Sequence, residues 1–225
     1  MPEVIFNGPD GRLEGRYHHA KTLNAPIALL LHPQPQLGGT MNNKVVYAMY
    51  HAFVRRGFSV LRFNFRGVGR SQGRFDNGQG ELSDAAAALD WMQSFNANAT
   101  GCWVGGFSFG AWIGMQLLMR RPEIDGFISV APPANVYDFS FLAPGPSSGM
   151  IVHGTQDELV PEPSVAKLAN KLSSQRNITV NYHTIEDANH SFSTKLEALT
   201  MALDDYLCGI GPEVAMSPAV AAVAG

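Results

Sequence analysis

The sequence predicts an α/β fold: a mostly parallel central sheet with helices on both faces, an N-terminal antiparallel hairpin and no large cap domain. Three observations carry this. Short apolar segments at residues 26–31, 58–63, 102–104, 126–131 and 150–153 read as strands covered on both faces. Segments with helical periodicity alternate with them, so the strands must be joined by crossovers. The intervening loops are short, which leaves little room for a separate folded unit over one end of the sheet.

In chain order, residues 4–6 and 13–18 flank Asn7-Gly8-Pro9-Asp10-Gly11, a turn sequence that closes the hairpin. The strand at 26–31 runs into a loop, 32–41. Val45, Val46, Met49 and Phe53 then share one helix face, which ends near Arg56-Gly57. After the strand at 58–63, a glycine-rich loop extends to Gly80. Leu82, Ala86, Leu89 and Met92 mark the next helix, with Ser83 and Asp84 near its start. The strand at 102–104 leads through Gly105 to Gly110 into helical residues 111–121. The strand at 126–131 ends in Pro132-Pro133, and residues 132–148 form the longest irregular piece. Its Tyr137, Phe139 and Phe141 are expected to wall a pocket. A strand at 150–153, a helix face of Val165, Leu168 and Leu172, a strand at 178–185 and a helix carrying Leu196, Leu199, Leu203 and Tyr206 complete the pattern. Thr194-x-x-Glu197 is expected to cap that last helix. One domain is expected over residues 1–211. Residues 212–225, rich in Ala, Val and Pro without periodicity, read as a flexible tail.

Composition narrows the function classes. With 225 residues the chain can build a full core. Its net charge of −3 and lack of a basic block argue against nucleic acid as a partner. Arginines 62, 66, 70 and 74 are interrupted by glycines and read as a solvated or salt-bridged loop. Cys102 and Cys208 are too few for a disulfide framework and are expected to be buried thiols. No apolar run approaches a membrane span, and the N-terminus has no long apolar h-region, so a cytoplasmic protein is expected. The histidines and carboxylates show no metal-ligand spacing, and neither a metal nor a cofactor is expected. A homo-oligomer is compatible with the sequence.

The chemistry centres on Gly106-x-Ser108-x-Gly110, between a strand and a helix. That is the setting of a nucleophile elbow, where a strained turn presents a serine Oγ and flanking glycines avoid clashes. Gly69-x-Ser71-x-Gly73 fits the same template. However, Ser71 lies several residues beyond its strand and is followed by turn residues, so it reads as a loop serine. A serine needs a base and a carboxylate that orients the base. Of the seven histidines, His190 alone sits in a loop between the last strand and the last helix, at the carboxyl edge to which Ser108 also points. Asp157, after the strand at 150–153, is the candidate carboxylate. Asp138 is the alternative, and Asp187 reads as a brace for its own loop. An oxyanion hole needs two N–H donors. Phe109, at the first turn of its helix, offers one. In His32-Pro33-Gln34-Pro35 only Gln34 can donate between the prolines, and His32 reads as a loop brace. Gln36, Leu37, Phe107 and Trp112 join the aromatic segment as pocket candidates.

These segments together resemble a lidless bacterial α/β hydrolase. The carriers are His32-Pro33-Gln34-Pro35 with Gly38-Gly39-Thr40-Met41, Asn64-Phe65-Arg66-Gly67-Val68-Gly69-Arg70-Ser71, Gly106 to Gly110, His153-Gly154-x-x-Asp157-x-x-Val160-Pro161 and Asn189-His190. The chain looks akin to the dienelactone-hydrolase and serine-aminopeptidase-like branches. It departs from dienelactone hydrolases in carrying serine at position 108 and from many members in having His-Pro at 32–33. The resemblance implies the Ser108, Asp157, His190 triad and the backbone oxyanion hole. The first reading of that machinery is hydrolysis of a small-molecule carboxylic ester, and with no large lid small or short-chain acyl groups are expected. Acyl transfer, perhydrolysis or peptide cleavage with the same residues are alternatives, as is a non-catalytic binding role.

Overall fold

A computed structural model of the protein describes residues 2–209. The proposed tail at 212–225 therefore lies outside the described residues. Eight strands form one sheet: β1 (Glu3–Gly8), β2 (Gly11–His18), β3 (Ile27–Leu31), β4 (Ser59–Phe63), β5 (Cys102–Phe107), β6 (Gly126–Val130), β7 (Ser148–Gly154) and β8 (Val180–Ile185). Their spatial order is β1-β2-β4-β3-β5-β6-β7-β8. The β1–β2 and β2–β4 pairings are antiparallel and the rest are parallel. The expected fold class is the one observed.

Among the described residues, five α-helices flank the sheet: α1 (Lys44–Arg55), α2 (Gln79–Phe95), α3 (Phe109–Leu118), α4 (Glu162–Ser173) and α5 (Leu196–Cys208). The strands divide their side chains by the period-two rule. Ile27, Leu29, Leu31, Val104, Phe127 and Ile151 pack with α2, α3 and α4. Ala28, Leu30, Trp103, Ile128, Met150 and Val152 pack with α1 and α5 on the other face. Both faces are covered, which explains why β3 is apolar throughout instead of alternating and why all five residues of β4 are buried.

Four details depart from the sequence reading. Helix α2 starts at Gln79, before Ser83, because Glu81 turns back and accepts from the Gly78 and Asp76 N–H groups. Asp84 instead points inward. Thr194 does not cap α5: Lys195 occupies the cap position with no side-chain bond, and the buried Phe192 in the preceding turn fixes the path of the chain. Cys208 is exposed, since α5 ends there, while Cys102 is buried. The arginine run also divides. Arg62 is buried in β4, its guanidinium 4.2 Å from the Tyr47 ring centroid, and donates to the Met41 carbonyl. Arg66 is buried against Asp84, with Nε and Nη2 at 2.9 and 2.7 Å from the two carboxylate oxygens. Arg70 and Arg74 are exposed, and Arg70 pairs with Glu3.

Candidate active site

Every parallel strand that borders the site ends on the same rim, and the loops leaving β3, β5, β7 and β8 meet there. At the end of β5, Ser108 has φ 54° and ψ −119°, a left-handed conformation that costs energy for any residue with a Cβ. The turn is so tight that a Cβ on Gly106 would overlap the Gly110 carbonyl, and one on Gly110 would overlap the Leu31 carbonyl. The two glycines thus let helix α3 start directly against β3 and β5. The Ser108 N–H donates to Val130, which ties the elbow to β6 at 2.9 Å. Ser71, by contrast, is buried: its hydroxyl donates to Asn64 O and accepts from Glu14 N, so it holds a loop.

Asp157 lies in the turn after β7, its side chain fully buried. Its Oδ1 accepts the N–H groups of Leu159 and Val160, each at 2.9 Å. Its Oδ2 is left for the His190 Nδ1, at 2.7 Å. A carboxylate cannot donate, so the proton sits on Nδ1 and the other ring nitrogen is free to accept. That nitrogen, Nε2, is 3.0 Å from Ser108 Oγ. Burial pushes the Asp157 pKa up, but the His190 and Val160 N–H donors and the nearby imidazoles outweigh it and hold the carboxyl below its ordinary value. The two loops are joined at close quarters. A Cβ on Gly154 would overlap the Ala188 carbonyl, and that carbonyl accepts from Gln156 N at 2.9 Å.

The other carboxylates stand apart from this contact chain. Asp138 is exposed and bound to Ser140 through its N–H and hydroxyl. Asp187 receives Lys195 at 3.7 Å, and its N–H donates to Thr155, so it braces its own loop. Sequence reasoning gave no role to His153. It is fully buried, its Nε2 2.9 Å from the Val160 carbonyl and 3.7 Å from Asp157 Oδ2. Burial holds its pKa below the ordinary value, against the pull of the Val160 carbonyl and Asp157. It supports the turn that carries Asp157. The His-Gly-x-x-Asp spacing was the available signal, but spacing alone does not show which side chain turns inward.

Gln34 follows β3 with φ −47° and ψ 116°. Among the described residues its N–H has no acceptor, and Phe109, as the first residue of α3, has an N–H that the helix leaves free. The loop is held by His32, whose Nδ1 lies 2.7 Å from the Pro33 carbonyl while Nε2 accepts from Phe65 N at 3.0 Å. Burial lowers the His32 pKa to about 4, against the pull of the Pro33 carbonyl, so the ring is neutral and acts as the expected brace.

Ser108 and His190 open into a cleft of about 570 Å³. Of the expected pocket residues, Gln36, Leu37, Phe107 and Tyr137 line it, as do Gln34 and Phe109, the expected oxyanion donors. Trp112, Phe139 and Phe141 do not. Trp112 stacks behind Tyr137, the ring centroids 4.2 Å apart, and its indole N–H donates to the Asp138 carbonyl. Phe139 is buried and stacks on Phe141 beneath the loop. Their place in the wall is taken by Pro133, Val136, Leu159 and Val160, which sequence reasoning did not assign to the pocket. Among the described residues, no group of three or more His, Cys, Asp or Glu could hold a metal ion, and no helix is long and apolar enough to cross a membrane.

Comparison with known proteins is consistent with this geometry. The family model of the X-Pro dipeptidyl-peptidases (S15 family) matches residues 17–145, and that of the prolyl oligopeptidase family matches residues 125–205. The uncharacterised protein RP471 of Rickettsia prowazekii is 55% identical over 214 residues, covering 93% of this chain and 90% of its own. Two solved structures are similar throughout. ATU1826 of Agrobacterium tumefaciens, a protein of unknown function grouped with the alpha/beta hydrolases, shares 60% identity at a TM-score of 0.90 and covers 92% of this chain and 95% of its own. XC6422 of Xanthomonas campestris, a serine hydrolase without a lid, shares 32% identity at a TM-score of 0.86 and covers 94% of this chain and 95% of its own. With relatives of this identity and coverage, the chain belongs to the α/β serine hydrolases.

Proposed function

We propose that this protein hydrolyses carboxylic esters through an acyl-enzyme on Ser108. His190 Nε2 takes the serine proton as Oγ attacks the acyl carbon, and Asp157 stabilises the imidazolium that forms. The developing oxyanion is held by the N–H groups of Phe109 and Gln34, the first at a helix N-terminus where the dipole also favours negative charge. His190 then gives its proton to the leaving alkoxide, and water, activated by the same ring, releases the acid. Asp157 is the orienting carboxylate in this reading because, among the described residues, it is the carboxylate that reaches the imidazole. The observation that carries the proposal is the continuous contact from Ser108 Oγ to His190 at 3.0 Å and from His190 to Asp157 at 2.7 Å. The substrate is a small molecule and the setting cytoplasmic.

A second reading has a specific observation behind it. Both matching family models are described as peptidases, and the same three residues can open an amide. A fluorophosphonate probe and a panel of p-nitrophenyl esters from acetate upward, run beside peptide p-nitroanilides, test both. The expected result is labelling of wild type but not Ser108→Ala, ester turnover that falls by roughly 10⁴ or more in that variant, and ester turnover well above that of the anilides. Equal ester hydrolysis by the two proteins would overturn the assignment.

A further inference from the structure

We infer that the cleft selects uncharged substrates, and that the ester it opens carries an apolar acyl group lying against Leu37, Val136 and Leu159. This rests on the ester-hydrolase reading and adds to it the class of acyl group.

The first observation is electrostatic. Among the described residues that line the cleft, none is Asp, Glu, Lys or Arg. Its only ionisable side chains are those of His190 and Tyr137. The polar groups that remain are amides, hydroxyls and backbone, and most are already placed. Gln34 receives the Tyr137 hydroxyl at 3.4 Å and donates to Gln36 at 3.4 Å, while Asn43 caps α1 by accepting from Val45 N. A substrate carboxylate, phosphate or ammonium brought into this space would lose water and find no opposite charge, which is strongly unfavourable. Lys44, Asp138 and Glu158 adjoin lining residues in sequence but do not line the cleft.

The second observation concerns the rim. Leu37, Val136 and Leu159 are 84%, 67% and 64% exposed, and all three stand on the cleft wall. They come from three separate loops, after β3, β6 and β7, and converge only here. An apolar cluster assembled at the mouth of a reactive cleft marks a place where something apolar is bound. The cleft volume of about 570 Å³ is more than an acetyl group requires, so acyl groups longer than acetate fit.

The test is a matched series of three 4-nitrophenyl esters with six-carbon acyl chains. They end in a methyl (hexanoate), a carboxylate (mono-adipate) or an ammonium (6-aminohexanoate), and each is measured on wild type and Ser108→Ala. The expected result is a kcat/KM for hexanoate at least tenfold above both charged esters, dependent on Ser108. In Leu37→Arg, a substitution at a position exposed enough to accept it, the hexanoate-to-adipate ratio should fall at least fivefold. A ratio below tenfold for either charged ester in wild type would overturn charge exclusion while the hydrolase reading stood. An unchanged ratio in Leu37→Arg would overturn the rim as the acyl site. If Ser108→Ala matched wild type on all three esters, the hydrolase reading itself would fail, and this inference with it.

Discussion

Replacing Asp157 by Asn should abolish most turnover while leaving the fold intact, and the hydrogen bonds determine why. Oδ1 receives two backbone N–H groups, from Leu159 and Val160, both at 2.9 Å. In an asparagine only the carbonyl oxygen can occupy that position, because an NH₂ there would face two donors. The amide nitrogen must then sit where Oδ2 stood, 2.7 Å from His190 Nδ1. Two donors cannot share that contact. The imidazole therefore moves its proton to Nε2, and Nδ1 accepts from the new amide. Nε2–H now points at Ser108 Oγ, and the serine proton has no acceptor. The loss expected for a wrong tautomer in such a site is about 10⁴ in kcat, which corresponds to about 5 kcal/mol of transition-state stabilisation. The assay is hydrolysis of the best p-nitrophenyl ester, with thermal melting as the folding control. Asp138→Asn is the matched comparison, since that carboxylate is exposed and hydrogen-bonded to Ser140. A loss under tenfold in Asp157→Asn, or a larger loss in Asp138→Asn, would refute the tautomer argument.

Two further predictions use the loop after β3. Gln34→Pro removes one N–H at a backbone φ of −47°, close to what proline adopts, whereas Gln34→Ala keeps the N–H. The proline variant should lose roughly 10²–10³ in kcat and the alanine variant should stay near wild type on the same ester; equal activities would exclude this N–H as an oxyanion donor. His32 is held to about 4 in the folded state, below its ordinary value near 6.5, so the unfolded chain binds the extra proton first. Its contribution is complete above pH 6.5 and declines as the pH falls towards 4, by about 3 kcal/mol. Urea unfolding between pH 7 and 4 should show this decline in wild type and a flatter profile in His32→Gln; identical profiles would remove His32 as the source.

The fold was legible because each signal was local. Apolar runs of strand length separated by helical periodicities can be arranged in few ways, and the glycines around Ser108 record a steric need confined to one turn. The reading of Gln34 was local too, since between two prolines it alone carries an N–H. What escaped the sequence was set at a distance. Asp84 looked like a residue of the first helical turn, yet a buried guanidinium 18 positions away turns it inward. Trp112 and Phe139 are aromatic and near the site in sequence, but whether such a ring faces the cleft or the core depends on which loop passes over it. Val136 and Leu159 carry no motif at all. Their part in the cleft wall comes from the meeting of loops that follow different strands, which no single stretch of sequence encodes.

The close seating of Gly154 against Ala188 has one more consequence. It joins the turn bearing Asp157 to the loop bearing His190 at the backbone, so a shift of one would carry the other with it. Ser108 belongs to a different anchor, fixed at the middle of the sheet. Flexing of the outer edge would leave the imidazole and its carboxylate in register while changing their reach to the hydroxyl. In the proposed reaction, the contact most sensitive to such flexing would be the one between imidazole and hydroxyl, and the bond that orients the ring would be spared.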